Sequence, residues 1–259
     1  MTRVISGIIL AAAVVAAILL LPFAGLRLLA CLVAGVAADE YVRITSAARG
    51  LSRWIVIAVV VYTCWWAAVP APLSIVVLAI VVILWLAFAV LRESRSLQQA
   101  AVDLVAPIYI GAPLGMLVAL QTLSGPRATL LLVATIVVSD SAQYYTGRAF
   151  GRRPLAPTIS PKKTIEGAVG GVIFGALFMA IAISFAFPAT PIVVRILLGL
   201  VIVFLGITGD LFESQLKRAA SLKDSSTLIP GHGGVLDRID ALLFAIPVFY
   251  FMVLQGRVA

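Results

Sequence analysis

Long apolar runs separated by short breaks make up most of the chain. Runs such as Leu73 to Val90 and Gly167 to Phe187 have about the 17 to 25 residues that a helix needs to cross the hydrocarbon core of a bilayer. Proline and glycine, for example Gly125-Pro126, interrupt the pattern. It predicts an all-α, polytopic integral membrane protein with about nine transmembrane helices. These spans lie near residues 4–22, 24–39, 53–70, 73–92, 103–124, 128–147, 167–187, 193–213 and 237–255.

The composition agrees with a membrane protein. Apolar residues are 63% of the chain and charged residues 12%, whereas a soluble domain has about half and about a quarter. Polar stretches are too short for a separate soluble domain. We therefore expect a single membrane domain over 1–259, with an N-terminal helical part, 1–125, and a catalytic helical part, 126–259. Cys31 and Cys64 lie in apolar runs, and we expect neither a disulfide nor chemistry from them.

The basic residues predict the orientation. If the N-terminus is cytoplasmic, four of the 19 Lys and Arg residues fall outside, namely Arg27, Arg127, Arg195 and Arg257. The other fifteen lie on the cytoplasmic side, as the positive-inside rule requires. The first run could instead be a cleaved signal peptide, but this topology needs its helix, so we expect it to be retained. The prediction is a multi-pass protein of the inner (plasma) membrane.

The acidic residues are also one-sided. All 11 Asp and Glu residues map to cytoplasmic loops or to the inner part of a span. Orientation and attraction to anionic lipid headgroups account for the net charge of +8, so we expect membrane lipids and no nucleic acid as partners. An acid inside a span costs about 2.5 to 3.5 kcal/mol on insertion scales. Asp140 and Asp210 are therefore functional candidates, and the chemistry is expected on the cytoplasmic face.

The polar stretch 209–240 carries most of the candidate chemistry. Four residues with i, i+3, i+4, i+7 spacing share one helix face: Asp210, Glu213, Ser214 and Lys217. Asp237 and Asp240 share a face at the start of the last span. Magnesium is commonly bound by one or two carboxylates together with substrate phosphates. Asp210, Asp237 and Asp240 are therefore candidate metal ligands, and the alternative for each is a helix cap or an ion pair with a neighbouring base.

A basic, glycine-rich loop joins these two acidic helix ends. Lys and Arg side chains suit phosphate oxygens, and the glycines of Pro-Gly-His-Gly-Gly allow backbone to approach a phosphate closely. His232 is the chain's single histidine and lies in this polar loop. A loop histidine without a role is its alternative. One histidine and two intramembrane cysteines do not make a usual zinc site.

A second polar cluster follows the sixth predicted span. It contains Asp140 and, further on, Ser160-Pro-Lys-Lys-Thr-Ile-Glu166. The Ser-Pro pair indicates a turn leading into a helix, and the adjacent hydroxyl and ammonium groups suit a triphosphate. An ordinary positive-inside loop is the alternative. The chain contains neither Gly-x-x-x-x-Gly-Lys-Ser/Thr nor Gly-x-Gly-x-x-Gly, so the common soluble nucleotide-binding folds are not indicated.

The run from Ser214 to Asp240 resembles the signature of the phosphatidate cytidylyltransferase (CDP-diacylglycerol synthase) family. That signature is Ser, two residues, Lys-Arg, four residues, Lys-Asp, then Pro-Gly-His-Gly-Gly, two residues, Asp-Arg, one residue and Asp, and this chain meets every fixed position. The resemblance extends to Gly209-Asp210-Leu211 and to the elements 140–151 and 160–167. The chain departs from residues frequent in the family at Gln143, Ile165 and Ser226, of which Gln143 bears on pocket shape beside Asp140.

The resemblance implies a homodimeric membrane enzyme that binds magnesium and a second, monovalent cation such as potassium. It implies that CTP and phosphatidic acid are converted to CDP-diacylglycerol and pyrophosphate. The catalytic residues it implies are Asp210, Lys217, Arg218, Asp237 and Asp240, with the three aspartates as metal ligands. The substrate-binding residues it implies are Asp140, Ser160, Lys162, Lys163, Thr164, Glu166, Ser214, Lys223, Asp224, His232, Gly233, Gly234 and Arg238.

Two other functions compete with this interpretation. A CTP-dependent polyprenol or phytol kinase would need a general base for a lipid hydroxyl, and the full signature favours the cytidylyltransferase. A secondary transporter would place its charges near the bilayer midplane within two related repeats. The acids of this chain cluster on one side instead.

Overall fold

The structure, a computed structural model, describes residues 2–45, 51–68, 97–229, 231 and 233–258. Helices account for most of these residues. The elements in chain order are α1 (Thr2–Leu20), α2 (Phe23–Thr45), α3 (Leu51–Ala67), α4 (Leu97–Ala106), a π-helical turn (Pro107–Gly111), α5 (Ala112–Phe150), β1 (Pro154–Ala156), β2 (Ser160–Thr164), α6 (Ile165–Ala186), α7 (Ile192–Ala219) and α8 (Leu236–Leu254).

The predicted helical architecture is confirmed, with one departure. β1 and β2 form a two-stranded antiparallel hairpin in which Pro154 pairs with Thr164 and Ala156 with Ser160. Within the described ranges, three helical segments are long and apolar enough to cross a membrane: Gln99–Phe150, Ile165–Ala186 and Ile192–Ala219. The predicted fourth span, 73–92, lies outside the described residues. The count of nine spans and the cytoplasmic N-terminus stay predictions.

The chain divides into two compact units. One comprises Met1–Ala119 and Ala219–Arg238, and the other Leu120–Arg218 and Ile239–Ala259. The loop after α7 and the first residues of α8 thus belong to the first unit. The single membrane domain with a division near residue 125 stays a prediction.

Small residues allow close helix packing in the first unit. Ala34, Ala37 and Ala38 of α2 are completely buried. A Cβ on Gly111, in the π-helical turn, would lie 2.6 Å from the carbonyl oxygen of Val60 on α3. Such small-residue contacts bring membrane helices together where burial of apolar surface supplies little driving force. Both cysteines are buried in this packing.

A bend in α5 lies near the start of the second unit. Gly125 has φ 75° and ψ 179°, and Pro126 follows it inside the helix. Only glycine adopts that backbone conformation at low cost, and proline breaks the helical hydrogen bonding. The break predicted at Gly125-Pro126 is therefore confirmed. The helical arm beyond it reaches Phe150, and the β1–β2 hairpin follows.

Candidate active site

The polar centre of the second unit forms where α7 crosses the first turns of α8. A Cβ at Gly209 would lie 2.5 Å from the carbonyl oxygen of Asp240 and 3.3 Å from Cα of Ala241. A larger residue could not occupy this crossing without displacing a helix. Glycine at 209 therefore places Asp210, the next residue on α7, beside the backbone of α8 at Asp240.

Three carboxylates interact in this centre. Asp240 is buried, with 9% of its surface exposed, and its Oδ1 accepts the backbone N–H of Ala241 at 2.8 Å. It interacts electrostatically with Asp210 and Asp140, and also with Lys217. Like charges at short range raise each other's energy unless a cation lies among them. A cation near these carboxylates would therefore lower their electrostatic energy.

The β1–β2 hairpin supplies one such cation. The ammonium of Lys163, on β2, forms an ion pair with Asp210. Arg218 Nε donates to the carbonyl of Ile159, in the turn of the hairpin, at 3.1 Å. Two contacts from α7 thus hold the hairpin and fix the position of Lys163.

The chain on either side of the hairpin is also tied down. Thr164 is the N-cap of α6, and its Oγ1 accepts the N–H of Gly167 at 3.1 Å. Glu166 Oε2 accepts the backbone N–H groups of Arg152 at 3.0 Å and Arg153 at 3.2 Å. Glu166 in this structure therefore orders the start of the hairpin. Lys162, on the same strand as Lys163, is exposed.

The predicted polar face of α7 is present. Ser214 Oγ donates to Asp210 Oδ1 at 3.4 Å. The ammonium of Lys217 forms an ion pair with Glu213, which is completely buried. Gln143 Nε2 donates to Asp140 Oδ1 at 3.0 Å, so this departure from the family pattern contacts the acid beside it. The structure thus brings together six predicted residues in the second unit, namely Asp140, Lys163, Asp210, Ser214, Lys217 and Asp240.

The signature residues from Lys223 to Arg238 belong to the first unit, in the loop after α7 and at the start of α8. Gly231 and Gly233 have φ of 76° and 80°, a left-handed conformation that side chains disfavour. Asp237 Oδ2 accepts the N–H of Ser225 at 2.9 Å and the N–H of Gly234 at 2.7 Å. This aspartate therefore orders the loop, and its role as a metal ligand stays a prediction. Lys223, Asp224 and Arg238 are exposed, and His232 lies outside the described residues.

Sequence reasoning did not predict that Glu40 contacts this loop. Glu40 lies on α2 and is 3% exposed. Its carboxylate accepts hydrogen bonds from four residues of the loop segment and the start of α8, namely Ser225, Ser226, Val235 and Leu236. A signal was present, since Asp39-Glu40 is the chain's single pair of adjacent acids and follows directly on an apolar run. Asp39 pairs with Arg43 at 2.8 Å and with Arg53, so the two neighbours have different roles.

The donor set of the second unit fits magnesium in its chemistry. Asp140, Asp210 and Asp240 offer hard oxygen ligands, and Asp240 is buried among negative charges. Among the residues that the structure describes, no three His, Cys, Asp or Glu side chains are grouped closely enough to hold a metal ion. The Lys163 ammonium lies against Asp210 instead. If a metal ion binds in the second unit, Asp210 and Asp240 are the residues that would hold it.

Comparison with known proteins relates the chain to one family. Residues 1–255 match the family described as the cytidylyltransferase family. The phosphatidate cytidylyltransferase of Aquifex aeolicus is 43% identical over 128 residues, which are 49% of this chain and 48% of that protein. The Bacillus subtilis protein of the same name is 36% identical over 174 residues, 66% of this chain and 65% of that protein.

A third relative matches over a similar length. The phosphatidate cytidylyltransferase of Haemophilus influenzae is 48% identical over 134 residues, 48% of this chain and 46% of that protein. The aligned part of this chain thus spans about half to two thirds of the length of these relatives.

Proposed function

The chain belongs to the cytidylyltransferase family, and from that premise we propose that it is a phosphatidate cytidylyltransferase of phospholipid biosynthesis. In this proposal CTP and phosphatidic acid react to give CDP-diacylglycerol and pyrophosphate. The relatives from Aquifex aeolicus, Bacillus subtilis and Haemophilus influenzae are phosphatidate cytidylyltransferases, which supports this choice of substrates. The protein is then a metal-dependent nucleotidyltransferase.

One observation carries the proposal. Asp210, a predicted metal ligand, forms an ion pair with Lys163, although the two are 47 residues apart in sequence, and it also interacts electrostatically with Asp240, a second predicted ligand. Carboxylates and cations at one point are what a metal-bound triphosphate requires. A structural ion pair alone would not need a second, buried carboxylate at the same place.

The reaction needs positioning more than covalent catalysis. A phosphate oxygen of phosphatidate attacks the α-phosphorus of CTP, the new P–O bond forms, and the bond to the β-phosphate breaks to release pyrophosphate. Magnesium, when bound by the carboxylates, supplies neutralisation of charge on the triphosphate. Lys163 and Lys217 hold phosphate oxygens as point charges, and Arg218 keeps the hairpin in place. Charge stabilisation of this kind is most of the catalysis in phosphoryl-type transfer.

The proposal also includes the orientation of the site in the membrane. The site faces the cytoplasm, where CTP is dissolved, and opens sideways to the inner leaflet, where the lipid substrate lies. The clustering of all 11 acids on one predicted side supports this orientation. We also propose a homodimer, a second cation such as potassium, and location in the inner (plasma) membrane.

A product assay tests the proposal. Purified protein is incubated with CTP and Mg²⁺ and with either phosphatidate or diacylglycerol of matched acyl chains. We expect pyrophosphate and CDP-diacylglycerol with phosphatidate, and no turnover with diacylglycerol, because the attacking oxygen belongs to the lipid phosphate. Formation of CDP and phosphatidate from diacylglycerol would show a lipid kinase and would overturn the proposal.

Single charge removals test the site assignment. Asp210→Asn, Asp237→Asn and Asp240→Asn keep side-chain size but lose the charge that holds magnesium, and we expect each to lower turnover at least about a hundredfold. Asp39→Asn is the matched control, since Asp39 lies one residue from Glu40 and forms partly exposed ion pairs with Arg43 and Arg53. If Asp237→Asn retains near-parent turnover and magnesium dependence, Asp237 only orders the loop.

A further inference from the structure

Four hydrogen bonds from residues at the two ends of the loop segment 225–236 hold the carboxylate of Glu40. Oε1 accepts the Ser226 hydroxyl at 2.6 Å and the N–H of Val235 at 3.0 Å. Oε2 accepts the Ser225 hydroxyl at 2.9 Å and the N–H of Leu236 at 2.8 Å. Each oxygen therefore receives one hydroxyl and one backbone donor. These partners lie between 185 and 196 residues away in sequence.

Burial makes these contacts matter. Glu40 is 3% exposed, and Leu236 is completely buried. Leaving a buried carboxylate or a buried backbone N–H without its hydrogen-bond partner lowers the stability of the fold, because water cannot reach the group to replace that partner. Four donors compensate the desolvation of one carboxylate, so α2 and the loop are tied at a single point.

The loop is also shaped to fit this carboxylate. A Cβ on Gly234 would lie 2.5 Å from both Glu40 oxygens. Ser225 Oγ is 2.9 Å from Glu40 Oε2 and 2.9 Å from Asp237 Oδ2. The hydroxyl proton can donate to only one acceptor at a time, but the Ser225 backbone N–H also donates to Asp237 Oδ2 at 2.9 Å, so Ser225 can link the two carboxylates with separate donors. Glu40 and Asp237 together therefore hold the backbone at residues 225–226 and at residues 234–236.

We propose that Glu40 is a positioning residue for CTP: it holds the glycine-rich loop in the conformation that receives the nucleotide. This inference rests on the proposed function, because the predicted substrate residues Gly233 and Gly234 lie within 225–236 and Lys223 and Asp224 directly precede that segment. The N-terminal part of the chain then contributes to substrate binding through α2, without a direct contact to the reacting atoms.

Hydrogen exchange tests the anchoring without any need for activity. Full-length purified protein is compared with Glu40→Gln and with the neighbouring control Asp39→Asn. Glutamine retains one acceptor oxygen and presents an NH₂ group to the donors on the other side, so one backbone N–H loses its partner. We expect peptides covering 225–236 to exchange at least about tenfold faster in Glu40→Gln, and to exchange as in the parent in Asp39→Asn. Equal exchange in the two variants would overturn the anchoring.

A Michaelis constant separates positioning from a merely structural role. We expect Glu40→Gln to raise KM for CTP at least about fivefold and to leave KM for phosphatidate within about twofold. Faster loop exchange with an unchanged KM for CTP would overturn the positioning role. Parent protein that makes no CDP-diacylglycerol would instead overturn the proposed function, and the exchange comparison would still decide the anchoring.

A second variant keeps the test decisive if Glu40→Gln does not fold. Gly234→Ala leaves the Glu40 charge in place but puts a methyl group against both carboxylate oxygens. Because a Cβ there would lie 2.5 Å from both oxygens, the alanine methyl must displace the loop from Glu40. We expect the same faster exchange over 225–236 and the same rise in KM for CTP, and parent values in both measurements would overturn the proposal.

Discussion

Glu213 is completely buried on α7 and pairs with Lys217 one helical turn later. Removing one partner of a buried ion pair leaves an uncompensated charge, which costs about 3 to 5 kcal/mol. We therefore expect Lys217→Ala to lower the free energy of unfolding by about 3 kcal/mol. Adding Glu213→Gln should restore most of that loss, because the neutral amide tolerates burial better than a lone carboxylate.

The double variant Lys217→Ala with Glu213→Gln isolates the predicted contact between Lys217 and CTP phosphate. We expect the double variant to unfold in denaturant close to the parent, and, if Lys217 binds phosphate, to turn over CTP at least about tenfold more slowly. Parent-like turnover in this folded variant would assign Lys217 to the ion pair alone.

At the residue scale, spacing predicted some contacts of the candidate site and not others. The i, i+4 spacing predicted that Asp210 and Ser214 share a face, and their side chains are hydrogen bonded. The pairing of Lys163 with Asp210 depends on the β1–β2 hairpin, and the hydropathy pattern does not predict that hairpin. Glu40 and its hydrogen-bond partners are separated by 185 residues or more in the sequence. A local sequence pattern does not predict contacts between residues so far apart.

At the element scale, the sequence predicted where helices lie better than where they end. α2 reaches Thr45 and α7 reaches Ala219, beyond the predicted spans 24–39 and 193–213. Hydropathy falls at the first charged residues, whereas helical hydrogen bonding continues through them into water. The strand 160–164 was predicted as a turn, because Ser-Pro-Lys-Lys-Thr has none of the apolar alternation typical of strands.

The crossing of α7 and α8 at Gly209 gives a prediction at this scale. Gly209→Ala puts a methyl group 2.5 Å from the carbonyl oxygen of Asp240, so the helices must separate. We expect a loss of about 1 to 3 kcal/mol in stability and a larger relative loss of turnover, because Asp210 and Asp240 move apart. Thermal unfolding in detergent and product formation measure the two effects.

Gly25→Ala is the matched control for that substitution. The nearest atoms to a Cβ at Gly25 are 3.5 Å away, on Leu21 and Pro22, and alanine favours a helix more than glycine does. Its stability and turnover should equal or exceed those of the parent. Equal effects of the two substitutions would contradict the close crossing at Gly209.

At the scale of the whole molecule, the predicted topology places the C-terminus outside the cytoplasm. A cysteine introduced after Arg257 should react with an impermeant thiol reagent in intact cells. The two natural cysteines are buried and serve as an internal background. A cysteine introduced beside Arg3 should react only after the membrane is opened. Labelling of the C-terminal cysteine only after lysis would contradict nine spans with a cytoplasmic N-terminus.

The fate of the phosphorus atoms of CTP tests the central claim most directly. Parent protein is given phosphatidate and Mg²⁺ with CTP labelled at either the α- or the γ-phosphorus, and lipid and aqueous products are separated. Attack on the α-phosphorus predicts that the α label enters the lipid as CDP-diacylglycerol and that the γ label leaves as pyrophosphate. Appearance of the γ label in the lipid fraction, with the α label left in water-soluble CDP, would contradict cytidylyl transfer.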